Sequence, residues 1–351
     1  MTTEAKAPSV IQTETIEGYD IIGDVHGCAR TLKALLNKLG YQEENGLYFY
    51  PGRRLVFVGD IVDRGPRIRP TISLIKNLVE ADLAYCVLGN HEFNAVAYTT
   101  CLNDATGADK NATIEELRYL RAHNSRNNRL IQETLIQYAP YPEEWRQVLE
   151  WFKTLPVLLE LPGFRVVHAC WDDESVTILR EATGQKNPTL NHVLPFLVAG
   201  DRRVAHALDR AIRGTSLRYP DGRYALGRDG LKRDFFRTKF WAINPHIYQD
   251  VVFQPDPLPE FLVNRALSDD EKSRLLSYPA DAPPVFFGHY WLQGRPRVQR
   301  ANLACLDYSA VKFGRLCAYR FDGESVLNAD KFVWVYVDPK TAKPCDSSRS
   351  V

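Results

Sequence analysis

"YDIIGDVHGC", residues 19–28, decides how this chain is read. The apolar run Tyr19 to Ile22 has the character of a buried strand, and it ends in an acid and a histidine two positions apart, framed by Gly23 and Gly27. In extended chain, side chains two apart point to the same side, so Asp24 and His26 can reach one point in space. The glycines let backbone or an ion approach closely. "ARTLKALLNKLGY" (29–41) follows with Leu32, Leu35, Leu36 and Leu39 at helical spacing and Gly40 as its C-cap. The unit recurs as strand "RLVFVGD" (54–60) with a helix from Pro66 to about Val79, then strand "LAYCVLGN" (83–90) with a helix from about Glu92. Three strand–loop–helix units predict an α/β core with partly parallel strands.

Beyond this core, residues 104–150 read as helical, with "EELRYL", "LIQETLIQYA" and "EEWRQVLEWF" as a lid or side layer. "PVLLEL" and "FRVVHAC" around Pro162-Gly163 predict a hairpin. The strands expected at 283–289, 303–309, 314–322 and 331–337 are rich in aromatic and β-branched residues, and the spacing suggests an antiparallel meander. Residues 173–282 fit neither pattern and are expected to be a helical and loop cap inserted into one domain spanning 18–340, with polar tails at 1–17 and 341–351.

Composition is that of a soluble globular protein: 45% hydrophobic, 25% charged and a net charge of +1. Near-neutrality gives no global reason to expect nucleic acid or an anionic membrane as partner. Seven scattered cysteines without a C-x-x-C pair argue against a disulfide framework or zinc knuckle and favour a reducing, cytoplasmic setting. No leader-like apolar segment or membrane-length run is read in the sequence.

The polar strand ends carry the chemistry. "GDVHG", "GDIVDRG" and "GNHE" close the first three strands, and "VVHAC" and "FFGHYW" close two later ones. In open α/β sheets ligands bind beyond the carboxyl ends of strands. These ends collect Asp24, His26, Asp60, Asn90, His168 and His289: imidazoles, carboxylates and an amide oxygen, suited to divalent Mn, Fe, Zn or Ni. Six donors are too many for one ion with an open position, and two ions about 3.5–4 Å apart would use them all. Alone, His168 or His289 would read as a satisfied structural histidine; beside the three blocks each reads as a ligand. Cys170 reads as packing, and Trp145, Trp151, Trp241 and Trp334 as core. His123, His192, His206 and His246 carry no functional context.

The three blocks in this order resemble the calcineurin-like metallophosphoesterases, with "DRG" and "GNHE" pointing to their phosphoprotein-phosphatase branch. "LACLDYSAVKFGRLCAYRFDGE" resembles the closing strands of bacterial diadenosine-tetraphosphatase and Pnkp-phosphatase relatives. The resemblance implies a β-sandwich flanked by helices and two divalent metals, manganese first among them. It implies Asp24 and His26 on one metal, Asp60 bridging, and Asn90, His168 and His289 on the other. It further implies hydroxide held on the metals as nucleophile, His91 as general acid with Asp63 on its other ring nitrogen, and Arg64 clamping the phosphoryl oxygens. Arg237 in "RDFFRTKFW" is the candidate second clamp. Ala169-Cys170-Trp171 and Tyr290-Trp291 depart from the branch and add bulk beside the pocket.

Residues 209–239 hold nine Lys/Arg against four Asp, either a solvated face or a basic rim for a polyanionic substrate, with Tyr219, Tyr224, Phe235 and Phe236 available to stack a base. The expected activity is hydrolysis of a nucleotide or other small phosphoester. Serine/threonine phosphoprotein and polynucleotide-end phosphatases run on the same ligands, so phosphoprotein or nucleic acid remain alternative substrates; no membrane partner is expected and the sequence is silent on oligomeric state. A silent phospho-ligand-binding protein would be expected to lack His91, Asp63 or Arg64, and all three are present.

Overall fold

The computed structural model describes residues 15–102, 118–226, 232–254 and 257–337. Its first half alternates strand and helix: β1 (Gly18–Ile22), α1 (Ala29–Leu39), the small hairpin β2 (Gln42–Glu44) and β3 (Leu47–Phe49), β4 (Arg53–Phe57), α2 (Ile68–Glu80), β5 (Ala84–Cys86) and α3 (Asn90–Thr99). Two helices, α4 (Ser125–Tyr138) and α5 (Pro142–Thr154), lead to β6 (Leu158–Leu161) and β7 (Phe164–Val167). Three more follow, α6 (Asp173–Thr183), α7 (Leu190–Val198) and α8 (Arg202–Arg213). The next stretch holds β8 (Ser216–Arg218), β9 (Ala225–Leu226), β10 (Lys232–Arg233), β11 (Phe235–Thr238), α9 (Tyr248–Val251), β12 (Val252–Gln254) and α10 (Asp269–Ser273). The chain ends its described part with β13 (Val285–Phe287), β14 (Leu303–Cys305), β15 (Asp307–Tyr308), β16 (Arg315–Phe321) and β17 (Phe332–Tyr336).

Two sheets carry the core. One runs β15–β16–β1–β4–β5 with β17 on β16; the other runs β14–β13–β7–β6. Because strand side chains alternate faces, Ile21 and Val56 point between the sheets while Ile22 and Phe57 point to the helices. Phe164, Val166, Phe286 and Ala304 meet Ile21 and Val56 from the second sheet, with Phe164 and Phe286 at 5.8 Å in edge contact. The outer layer is closed by Leu32, Leu35 and Leu36 of α1 and by Ile72 and Ile75 of α2, all buried in one large cluster. This is an α/β sandwich of mixed sheets, as expected. β1 is parallel to β4 and β4 to β5, so the three polar loops that follow them emerge at one edge.

The C-terminal strands differ from a meander. β13 lies parallel to both β7 and β14, and only β15, β16 and β17 are antiparallel neighbours. The run 303–309 is two strands in two sheets, crossing at Leu306. Every residue of β13 and β14 is buried, the pattern of parallel strands covered on both faces, and that continuous apolar run was the signal for parallel pairing. α3 also begins earlier than expected, at Asn90. Gly89 is its N-cap, its N–H donating to Glu92 Oε2 at 2.9 Å, so Asn90 and His91 occupy the first turn.

The stretch 173–282 packs in two ways. Val176, Leu179, Val193, Leu208 and Ile212 of α6 to α8 belong to the main core. Tyr219, Phe236, Tyr248, Val251, Leu262 and Leu267 form a small cluster of their own around the sheet β12–β11–β8, while Phe240 joins the main core. Half of "EELRYL" (115–117), most of the first tail and all of the second lie outside the described residues, and Arg118–Leu120 do not form the helix expected of them: Tyr119 bridges to Cys101.

Candidate metal centre

The strand-end residues converge on Asp60. Its Oδ2 lies 3.6 Å from His26 Nε2 and its Oδ1 lies 3.3 Å from His168 Nε2, so one carboxylate faces two separate imidazoles. Each ring is aimed by its other nitrogen, His26 Nδ1 against Val62 O at 2.8 Å and His168 Nδ1 against Val58 O at 2.7 Å, which turns Nε2 toward the pocket. His168 Nε2 also lies 3.3 Å from Asn90 Oδ1. Two groups of donor atoms lie within 4.8 Å of one another, His26–Asp60–His91 and Asp60–His168–His289. Asp24, expected beside His26, is buried in the same pocket but outside those two groups; its carboxylate accepts from the His289 backbone N–H at 3.2 and 3.4 Å.

The backbone is bent to do this. His26, Asp60, Asp63, Arg64 and His289 all have positive φ, a conformation non-glycine residues rarely adopt and one that clusters at functional sites. Close approach needs glycine at two points: a β-carbon on Gly288 would collide with Asp24 Oδ1, and one on Gly89 with the Asp60 backbone nitrogen. Glu92 holds the second loop in place. Its buried carboxylate accepts from Gly89 N, Asp60 N and Ile61 N at 2.9 Å and from Val62 N at 3.2 Å.

Electrostatics test the fit of a cation. Burial, then Asp307 and Asp60, push Asp24 well above the usual carboxylate range. Burial opposes ionisation of Asp60 as well, yet His168, His91 and His26 hold its carboxyl well below that range. Burial, then the Arg64 charge, keeps His26 well below the ordinary histidine value; burial and Arg237 do the same to His289. Burial alone would lower His168, and the Asp60 carboxylate raises it. Burial and Asp60 lift Glu92 to about 7. Two neutral imidazoles and several crowded carboxylates form a donor set that a divalent cation would suit. His289 Nε2 is buried with no partner, as a ligand nitrogen awaiting its ion would be. The donor set fits hard or borderline divalent ions.

The second half of the site gathers His91, Asp63 and two arginines. His91 Nδ1 lies 2.6 Å from Asp63 Oδ2, and Thr134 of α4 donates to Asp63 Oδ1, fixing the ring through two supports. Arg64 sends one arm toward His91 Nε2 at 2.9 Å and the other toward His26 Nε2 at 3.3 Å. Arg237 of β11 reaches the pocket: its charge acts on His289, and its Nη1 is buried with no partner. Of the departures, Trp171 and Tyr290 are buried packing, whereas half-buried Trp291 lies under the Arg237 guanidinium at 5.5 Å.

Three residues escaped the sequence reading. Glu92 stands three after Gly89, the spacing of a capping residue, and could have been found that way. Asp307 is a buried acid inside an apolar strand, accepting from Ser309 N at 2.9 Å and facing Asp24. Thr134 carried no signal, because only packing of α4 against the second loop brings it to Asp63. Two of the proposed base-stacking aromatics are corrected here: Tyr219 and Phe236 are buried in the small cluster, whereas Tyr224 and Phe235 are exposed, with the Arg218 guanidinium 4.6 Å from the Phe235 ring. A buried side chain packed on its own neighbours has no open face for a base. Cys170 is buried as packing, and burial pushes its thiol well up.

Several known proteins resemble part of this chain in sequence. The bis(5'-nucleosyl)-tetraphosphatase PrpE of Oceanobacillus iheyensis is 56% identical over 73 residues, 20% of this chain and 29% of that protein. Its namesake in a Geobacillus species is 41% identical over 102 residues, 29% of this chain and 42% of that protein. The chain thus spans less than half the length of these curated relatives. A protein serine/threonine phosphatase of Saccharomyces cerevisiae is similar over 93% of this chain and 81% of that one, with 14% identity and a TM-score of 0.46. The family model of the calcineurin-like phosphoesterases matches residues 19–173, which include every proposed site residue except Arg237 and His289, and that part of the chain is a calcineurin-like phosphoesterase domain.

Proposed function

We propose that this chain is a binuclear-metal-dependent phosphoric ester hydrolase acting on a nucleotide or other small phosphoester. The observation that carries the reading is the Asp60 carboxylate, one oxygen toward His26 and the other toward His168, with partnerless His289 Nε2 beside it. Asp24, His26 and Asp60 would hold one divalent ion and Asp60, Asn90, His168 and His289 the other, manganese being the first to try. When bound, such ions supply Lewis-acid activation of water and of the phosphoryl oxygens.

The remaining work falls to side chains. Arg64 and Arg237 bind the phosphoryl oxygens and set the phosphorus in line. His91, as the imidazolium, delivers its Nε2 proton to the leaving oxygen, and the Asp63 carboxylate, accepting from Nδ1–H, stabilises that cation and fixes the ring. Half-buried Trp291 beside Arg237 narrows the approach. The relatives' printed names make a dinucleoside tetraphosphate the first compound to offer. The cytoplasm is the proposed location, resting on the free cysteines among the described residues; no described helix is long and apolar enough to cross a membrane.

The test is hydrolysis of p-nitrophenyl phosphate and its bis ester by metal-stripped protein back-titrated with Mn²⁺, followed by dinucleoside polyphosphates, phosphopeptides and end-phosphorylated oligonucleotides. Metal-dependent release that Asn90→Ala/His91→Ala abolishes is expected, with nucleotides preferred. A preference for phosphopeptide or oligonucleotide ends would move the substrate to the alternatives. No release from protein shown to bind two metals would favour a silent phospho-ligand binder.

A further inference from the structure

A run of arginines leaves the metal pocket along one face of α3. Arg213, at the end of α8, donates from Nη2 to Asn94 Oδ1 at 2.7 Å and lies over the Phe93 ring at 5.4 Å; its other arm pairs with Asp209. Asn94 is one turn past Asn90 and His91, roughly 5–6 Å along the helix. Arg213 is close enough for its charge to act on both His289 and Arg237. One further turn along, the Arg121 backbone N–H donates to Ala97 O at 2.9 Å, and its half-buried side chain faces Arg213 and Arg126.

Arg121 is poorly compensated. No described residue accepts a hydrogen bond from its guanidinium, and the nearby acids are already engaged, Asp63 by His91 and Thr134 and Asp209 by Arg213. Burial, then Arg213 and Arg126, push it down to about 10. Guanidinium groups that outnumber the carboxylates beside them repel, and partial burial removes the water that would screen them. An anion placed among them relieves both costs.

We propose that Arg213 and Arg121 form a second phosphate subsite next to the Arg64–Arg237 clamp, so that the substrate is a phosphoanhydride chain with at least two phosphates. This rests on the phosphohydrolase reading above: one phosphoryl group lies between Arg64 and Arg237 and the next follows α3 outward. The chain of positive charge matches a linear polyanion better than an isolated monoester, whose single phosphate would leave Arg121 without an anion and Arg213 with Asp209 alone.

The test is calorimetric binding of imidodiphosphate, whose P–N–P link resists hydrolysis, and of orthophosphate to Mn²⁺-loaded protein freed of excess metal. Wild type is expected to bind imidodiphosphate at least about tenfold more tightly than orthophosphate. Arg121→Gln should lower that ratio about tenfold and Arg121→Lys less, since lysine keeps the charge without the fork. Arg146→Gln, on an arginine 71% exposed on α5, controls for net charge and should leave the ratio unmoved. A ratio unchanged in Arg121→Gln, or an equal loss for both ligands, overturns the subsite. The failures separate: if wild type hydrolyses no ester but the ratio falls, the hydrolase reading fails and the subsite stands. If it hydrolyses esters and the ratio holds, only the subsite fails.

Discussion

Asp20 and Asp24 lie four residues apart on one stretch of chain, both buried, in opposite surroundings. Asp20 accepts from Tyr41 Oη at 3.0 Å, from Arg53 Nε at 3.0 Å and from Arg320 Nε at 3.0 Å, so its charge is matched by two guanidinium groups and a hydroxyl. Asp24 faces two other carboxylates, Asp307 and Asp60, and among the described residues accepts a backbone N–H, with the Arg64 charge a lesser compensation. A buried charge with its partners present is scaffold. Carboxylates crowded against one another at a strand end, on strained backbone, mark a place that something else must complete.

The two ends of β1 should therefore fail differently. At the pocket, Asp60→Asn is expected to lower kcat/KM by on the order of 10³-fold or more while the protein stays folded, read by steady-state kinetics beside circular dichroism. His91→Asn should cost about 10²–10⁴-fold with an alkyl phosphate, and less with p-nitrophenyl phosphate, whose leaving oxygen needs no proton. Equal losses on both substrates would remove His91 as the proton donor. At the scaffold end, Asp20→Ala leaves Arg53 and Arg320 unmatched and should destabilise by about 3 kcal/mol in denaturant titration, with turnover per folded molecule unchanged. Lost turnover in fully folded Asp20→Ala would mean that the network is no mere scaffold.

Smaller effects probe the same contrast. Chelation leaves the pocket carboxylates facing one another, so Asp307→Asn should raise the Tm of metal-stripped protein by about 2–4 °C while weakening metal retention. Glu160 of β6 is a more exposed counterpart of Asp20; burial opposes its ionisation, but Arg165 and Arg180 hold its carboxyl below the usual range. A depressed folded value stabilises above the unfolded carboxylate value, about 4.3, and that contribution is lost as pH falls through the folded value. Wild type should exceed Glu160→Gln by under about 1 kcal/mol at pH 7, and the gap should close below pH 4.

Much of the site was legible because it is local. Asp24 with His26, Asp60 with Asp63 and Arg64, and Asn90 with His91 each sit in one short loop after an apolar strand, where period and punctuation can be read. The helices α1 and α2 were legible from their leucine and isoleucine spacing. Parallel pairing of β13 was not inferred: aromatic and β-branched content suggested a meander, although the continuous apolar run is the mark of a strand covered on both faces. The split of 173–282 was hidden too: amphipathic helices that join the main core have the same periodicity as helices that form a cap.

By itself the sequence determined which chemical groups exist and which strand end carries each, since those depend on neighbours within a few residues. Only the tertiary structure decided that Asp24 turns to His289 and Asp307, that Thr134 and Glu92 brace the loops, that Tyr219 and Phe236 are core, and that Arg121 stands beside Arg213. Those relations join residues tens to hundreds of positions apart. Their free energy comes from burial and from the sum of charges in one small volume, and neither exists until the sheets have closed.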